Sequence, residues 1–383
     1  MRHTSAPMTS ESRARRPFGR WLLSAEGWPY LLVPLIPLAI ALELAHAGAT
    51  AIFVAAALGI VPTAALMGRA TEELAIRSGP GVGGFLNVTF GNFPELVIAF
   101  FALIEGLQEV VKASIIGSII GNILLVLGAS MFVGGLRRDK QTFNRAAANA
   151  QSAMLLLALT ALVMPAVFEL VVGGRLPSPD EELVRYDSTV EHLSLAVAIV
   201  LMLSYVAGLI FSLRTHRDLF NPHSEEQEPA RWSVRQGIVA LAIAGVAVGV
   251  MSEILVGSIS EAGESLGLSE FFIGAIVVAI IGNAAEHWVA VLVAAKDKMD
   301  LAVNIAVGSS TQIALFVAPV LVILSFPFGP EPMPLVFNGF ELAAIVFAIL
   351  IADRVTAEGE SNWFEGLQLL AVYLVVALAF AFA

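Results

Sequence analysis

The sequence predicts an all-α polytopic membrane protein. It has about eleven transmembrane helices: one N-terminal helix, then two inverted five-helix repeats. Three observations carry this. The 383 residues are 57% hydrophobic and only 14% charged, with a mean hydropathy of +0.83. A soluble domain is about 45–50% apolar and about 25% charged. The apolar excess lies in runs of about 18 residues or more, the length that crosses a bilayer. Lysine and arginine fall almost entirely on one side of those runs. Finally, the second half of the chain repeats the first at one constant offset.

Taken in order, residues 1–27 form a cytoplasmic tail with Arg13, Arg15, Arg16 and Arg20. The following "LLVPLIPLAIALELAHA" has the look of a signal peptide. Its apolar run, counted from Trp28, exceeds the roughly 7–15 residues of a signal core, and Glu43 sits just before the would-be cleavage site. Residues 28–48 are therefore read as an uncleaved first helix, with cleavage as the lesser alternative. Residues 49–213 make the first repeat, with spans at Ala49–Gly68, Gly83–Glu105, Lys112–Leu136, Phe143–Val172 and Thr189–Leu213. Residues 214–233, polar and holding Pro222 and Pro229, are a cytoplasmic acidic linker. Residues 234–383 make the second repeat, with spans at Val234–Ile259, Phe271–Ala295, Leu301–Phe326, Phe337–Ala352 and Trp363–Ala383.

The charges set the orientation. With the N-terminus inside, the cytoplasmic side holds the tail arginines, Arg69, Arg77, Arg137, Arg138, Lys140, Arg145, Arg214, Arg217, Arg231, Arg235, Lys296, Lys298 and Arg354. The other side keeps Lys112, Arg175 and Arg185. This is the positive-inside distribution, and a wrong span count would scramble it.

The repeat is seen by setting "VGGFLNVTFGNFPELVIAFFAL" over "IGAIVVAIIGNAAEHWVAVLVA". Glu95 falls on Glu286, 191 positions later. The same offset pairs Glu73 with Glu264, Gly83 with Gly274, Gly91 with Gly282, Asn92 with Asn283, Gly117 with Gly308 and Ser118 with Ser309. The register fails after the fifth span, where "GGRLPSPDEELVRYDSTVEH" is longer than its counterpart. Five spans per half is an odd number, so the second half enters the membrane in the opposite sense. Many secondary transporters hold their ion near the midplane between such repeats, on interrupted helices.

Glu95 and Glu286 lie near the middle of their spans. A carboxylate there is disfavoured by about 2.5–3.5 kcal/mol on insertion scales, so it needs a partner or a water-filled cavity. Asn92 and Asn283 each precede their glutamate by three residues and share its helix face. Pro94 and Gly91 weaken the turn before Glu95. Two carboxylates, two amides and loosened carbonyls suit a hard divalent cation such as Ca2+. The following helices add Ser118 and Asn122 in "GSIIGN", and Ser309 to Gln312 in "GSSTQI". Gly117 and Gly121 form a small-xxx-small pair suited to close packing. His287 either relays protons or hydrogen-bonds a neighbouring helix. Glu72, Glu73 and Glu264, at helix ends on opposite sides, either draw cations to two entrances or are ordinary interfacial carboxylates. Glu225, Glu226 and Glu228 in the linker either sense Ca2+ or are simply solvated.

At these residues a resemblance becomes specific. "GGFLNVTFGNFPEL", "IIGNAAEHWVAVLVAAKDKMDLAVNIAVGSSTQIALFV" and "SNWFEGLQLLAVYLV" resemble the Ca2+/proton exchanger (cation/proton exchanger) family of the calcium/cation antiporter superfamily. The likeness covers nearly the whole chain from about residue 28. It implies eleven spans and export of Ca2+, sometimes Mn2+ or other cations, against entering protons. It implies that the glutamates matching Glu95 and Glu286 bind cation or proton in turn, and that Ser309 and Gln312 match the family's second-half polar motif. Phe93 and Pro94 depart from the family's small residues, which bears on the size of the site.

The expected function is therefore a secondary antiporter exporting Ca2+ from the cytosol in exchange for protons. A Na+ or K+/proton antiporter on the same scaffold is the alternative, and a channel is a further rival. The substrate is Ca2+ and no cofactor is expected. Neither GxxxxGK[ST] nor HExxH occurs, so neither an ATP-driven pump nor a zinc protease is indicated. The expected setting is a prokaryotic plasma (inner) membrane, multi-pass, with a cytoplasmic N-terminus. The lipid bilayer is the surrounding partner, and the net charge of −11 argues against nucleic acid.

The orientation is checked by single cysteines at positions 225 and 180, in a chain that has no cysteine of its own. An impermeant thiol reagent is expected to label them from opposite sides of the membrane. Labelling from one side would remove the inversion.

Overall fold

Backbone N–H and C=O groups inside a bilayer have no water to bond, so each apolar run closes its hydrogen bonds within a helix. The computed structural model describes residues 24, 27–179, 181, 184–215 and 230–383. The tail arginines, Arg217, position 180 and Glu225, Glu226 and Glu228 lie outside them. The helices are α1 (Trp28–Leu44), α2 (Ala49–Gly79), α3 (80–91), α4 (Phe93–Ile104), α5 (Gln108–Gly135), α6 (Arg145–Val172) and α7 (Ser188–Thr215). There follow α8 (Val234–Gly257), α9 (Ile259–Leu266), α10 (Glu270–Ala295), α11 (Met299–Phe328), α12 (Gly339–Thr356) and α13 (Trp363–Ala381). Many starts are dictated by capping residues. Asn144 accepts from the N–H groups of Ala146 and Ala147, while Ser233 with Gln236, Asn338 with Glu341 and Asn362 with Glu365 form capping boxes.

Eight described helices are long and apolar enough to cross a membrane: α2, α5, α6, α7, α8, α10, α11 and α13. The other expected spans differ in form. Trp28–Leu44 and Phe93–Ile104 are shorter apolar helices. The expected span Gly83–Glu105 is two pieces, α3 and α4, broken at Asn92 (φ −98°, ψ 21°). Pro94 explains the break, because it has no N–H to continue the ladder and fits only in a first turn. A second break at Gly79 (φ 77°, ψ 170°) uses a conformation essentially confined to glycine. The expected span Phe337–Ala352 begins at Gly339 and runs to Thr356, carrying Glu341, Asp353 and Arg354.

The repeat is visible in the helix boundaries. α4 ends at Ile104 and α10 at Ala295, 191 apart. α5 starts at Gln108 and α11 at Met299, again 191 apart. Wide π-turns at Gly121–Val126 in α5 and Ile313–Val317 in α11 end 191 residues apart and begin within one residue of that offset. Such turns occur often at functional sites.

The halves cross at α5 and α10. A Cβ on Gly117 would lie 1.9 Å from the Ala275 carbonyl oxygen, and one on Gly274 would lie 2.8 Å from that of Val110. Backbone therefore meets backbone. Gly121 has no neighbour within 4 Å of a built Cβ, so the packing role expected of the glycine pair rests on Gly117.

On the side opposite the Lys/Arg-rich face, a non-helical stretch from 329 to 338 links α11 to α12, and its residues 333–338 are buried. Gln108 donates to Glu331 O, Lys112 Nζ to Val336 O at 2.9 Å, and Ser194 Oγ accepts from Leu335 N. Lys112 is fully buried, pairs with Glu109 at 2.6 Å and lies over the Tyr186 ring. At the other end, two-residue strands β1 (Gln141–Thr142) and β2 (Glu360–Ser361) pair antiparallel.

Gly117→Ala is expected to destabilise the protein by about 1–3 kcal/mol through overpacking, while Gly121→Ala leaves stability unchanged or raised. Melting temperatures of the two purified variants check this; equal melting would contradict the crossing.

Candidate cation site

The site is built from the α3–α4 junction, α10 and the two helices that follow them. The chain break at Asn92 leaves Glu95 in the first turn of α4. α10 runs unbroken through Asn283 and Glu286. Two glycines bring the glutamates together. A Cβ on Gly91 would lie 3.2 Å from Glu286 Oε1. A Cβ on Gly282, its repeat partner, would lie 3.2 Å from Glu95 Cγ and 3.5 Å from Glu95 Oε1. Each carboxylate thus rests on the glycine of the other half.

The amides are crossed in the same way. Asn92 Nδ2 donates to Gln312 Oε1 of α11 at 2.6 Å. Asn283 Nδ2 donates to Ser118 Oγ of α5 at 3.1 Å, and to the Ala279 carbonyl at 3.0 Å. Ser309 Oγ donates to Glu286 Oε2 at 2.9 Å. His287 Nε2 lies 3.1 Å from Asn122 Oδ1. The polar residues expected from the sequence thus fall into four hydrogen-bonded pairs, with Glu95 seated on Gly282, and three of the pairs, Asn92–Gln312, Asn283–Ser118 and His287–Asn122, join the two halves.

Burial is deepest at Glu95 and the two asparagines. Asn283 is 0% exposed, Asn92 1% and Glu95 9%. Glu286, His287 and Gln312 are half-buried. Among these residues, the acceptors Asn92 Oδ1, Asn283 Oδ1 and Glu95 Oε2 and the donor Asn122 Nδ2 are buried with no hydrogen-bond partner. An unpaired buried polar atom costs about 1–3 kcal/mol, so three unpaired oxygens on residues one turn apart in the two repeats favour a ligand that accepts their lone pairs. Among the described residues no group of three or more His, Cys, Asp or Glu could hold a metal. A cation here would draw on two carboxylates and neutral oxygens.

Other expected residues lie apart. Ser310 and Thr311 donate to the backbone of their own helix, at Ala306 O and Val307 O, so of the polar run only Ser309 and Gln312 serve the site. Glu73 does not stand open at an entrance: it is buried, and its Oε2 accepts from Arg231 N and Trp232 N. Glu72 and Glu264 are exposed. The role of Gly91 and Gly282 as floors for the opposite carboxylates was not read from the sequence, although their shared offset was the available signal.

With this geometry in hand, comparison with known proteins is decisive. The model of the family described as sodium/calcium exchanger protein matches residues 48–214 and again 236–382. The chain belongs to this family. Among its relatives, a Ca(2+)/H(+) antiporter of Synechocystis sp. is 46% identical over 372 residues, covering 92% of this chain and 96% of that protein. The Ca(2+)/H(+) antiporter ChaA of Bacillus subtilis is 45% identical over 350 residues, covering 90% and 96%. The solved structure of native YfkE matches this exchanger-family chain with a TM-score of 0.78 at 41% identity, covering 93% of this chain and all of that one. The H+/Ca2+ exchanger CAX, at 15% identity, shares the fold with a TM-score of 0.67.

Proposed function

We propose that this chain is a secondary antiporter that exports Ca2+ from the cytosol in exchange for protons, with cation or protons held alternately by Glu95 and Glu286. The reading rests on one observation above all: the buried, unpartnered oxygens of Asn92, Asn283 and Glu95, on helices whose two carboxylates are each seated against the other half's glycine. Ca2+ takes about 6–8 oxygens and asks for no fixed geometry. Gln312 and Ser118 engage the two amide nitrogens, which leaves the amide oxygens for the ion. The Ca(2+)/H(+) antiporters named among the relatives support the same substrate pair.

Coupling follows from competition. Ca2+ held by two carboxylates excludes protons from them, and protonation removes the charge that holds Ca2+. Alternating access would rock one group of helices against another around the site. Glu72 and Glu264 would gather cations near its two entrances. We divide the chain as a first helix at 28–48, repeats at 49–213 and 234–383, and a cytoplasmic linker at 214–233, with eleven crossings in all. The lysine and arginine distribution supports a cytoplasmic N-terminus. Relatives in Bacillus and Synechocystis support a bacterial plasma membrane.

Glu95→Gln and Glu286→Gln are each expected to abolish pH-gradient-driven uptake of radiolabelled Ca2+ into inverted vesicles, while yields and melting stay near wild type. Glutamine keeps shape and an oxygen but loses both charge and titration. Near-normal exchange by either variant would defeat the two-carboxylate site. Equal proton release on adding Na+ or K+ would favour a monovalent exchanger.

Ca2+ affinity is expected to fall as pH falls, because protons and cation compete for the same oxygens. If each ion displaces two protons, log K changes by about two per pH unit where both carboxylates are protonated in the metal-free protein. Direct Ca2+ titration of purified protein over a pH series reads this slope. A flat line would leave proton competition without support.

A further inference from the structure

The Lys/Arg-rich face carries a second feature that ion exchange does not use. α8 packs on α2 through Gly237, whose Cβ position lies 2.7 Å from Leu74. Its buried face continues through Ala244, Val248 and Met251. The opposite face is turned outward. There Trp232, Arg235, Gln236, Val239, Ala240 and Ile243 line a groove of about 380 Å3. Arg235, Val239 and Ile243 follow at four-residue steps, which stacks them along one side of the helix. The groove therefore has a polar, cationic head and an apolar floor.

The head is rigidly made. Glu73 Oε2 accepts from two successive backbone N–H groups, Arg231 and Trp232. Arg77 donates to the Trp232 and Ala230 carbonyls. The Arg69 guanidinium lies 5.4 Å from the centroid of the Trp232 ring. Three arginines thus lie beside Trp232: Arg69 over its ring, Arg77 on its carbonyl and Arg235 with it in the groove lining. Arg235 is exposed and makes no hydrogen bond or ion pair among the described residues. The nearby Glu73 carboxylate is buried and engaged by backbone, so it does not neutralise Arg235 by a direct pair.

We propose that this groove binds an anionic phospholipid, its phosphate on Arg235 beside the Trp232 indole and one acyl chain along Val239, Ala240 and Ile243. Charge complementarity selects the headgroup: guanidinium groups bind phosphate strongly, and basic pockets at a membrane surface favour anionic lipid. Tryptophan at that level is the usual interfacial anchor. The apolar floor beneath the charge selects a lipid over a soluble phosphate. The site needs no assumption about the transported ion.

The test uses the full chain, purified in a neutral detergent, with phosphatidylglycerol, phosphatidylcholine or inorganic phosphate added. Melting temperature and bound lipid by native mass spectrometry are the readouts. Phosphatidylglycerol is expected to raise the melting temperature and to be retained; the other two are not. Arg235→Gln, at an exposed residue, is expected to weaken retention about fivefold, the equivalent of the about 1 kcal/mol that one arginine contributes at an anionic surface. Val239→Trp, which fills the floor and keeps the charge, is expected to reduce retention too. Equal retention of phosphatidylcholine, stabilisation by phosphate alone, or undiminished retention in both variants would overturn the proposal. Because Ca2+ flux is not read, a failed exchange reading leaves this result unaffected.

Discussion

Two carboxylates from opposite halves of the chain are each seated against a glycine of the other half, and the neighbouring residues follow from this. Glu95 and Glu286 each need a close backbone to rest on, which Gly282 and Gly91 supply from the opposite half. Glu286 takes a hydrogen bond from Ser309, and the asparagines one turn before each glutamate pair across the halves with Gln312 and Ser118. These partners have to arrive from separate helices, so the helices must cross closely. Gly117 against Ala275 and Gly274 against Val110 allow it. The glycine, asparagine and serine of the repeat are thus one set of demands made by two charges.

The halves meet those demands unequally. Glu286 sits on a continuous helix and accepts the Ser309 hydroxyl at 2.9 Å. Glu95 begins a new helix after a break and keeps one buried oxygen unpartnered. Pro94 is the local cause, because it has no counterpart at the matching position, Ala285. A pseudo-symmetric scaffold therefore presents one supported carboxylate and one under-coordinated one to the same space.

Much of this was legible in the sequence. The 191-residue offset reappears in the end of α4 and α10, the start of α5 and α11, and the paired π-turns. Position within an apolar run and repetition at one offset single out Glu95, Glu286 and the two asparagines, which the fold brings to the contact between the halves. What periodicity could not give was pairing across the chain. Asn92 to Gln312 spans 220 residues and Asn283 to Ser118 spans 165, and no local pattern encodes such partners. Glu73 shows the same limit: its partners are backbone groups at 231 and 232. The helix from Ala49 was expected to end at Gly68, yet it continues to Gly79, since the polar turn around Arg69 to Glu73 is helical beyond the apolar core.

The exchanged glycine floors also bear on how such a chain could be divided. Neither half holds a finished pocket: Gly91 faces a carboxylate from the second half, and Gly282 one from the first. A fragment ending at the linker would carry Glu95 without its seat and Asn283's hydroxyl partner without its amide. Separately made halves would be obligate mates, each insoluble in its purpose until it met the other. A doubled and inverted ancestor that reached this arrangement would have bound its two copies into a single inheritable unit.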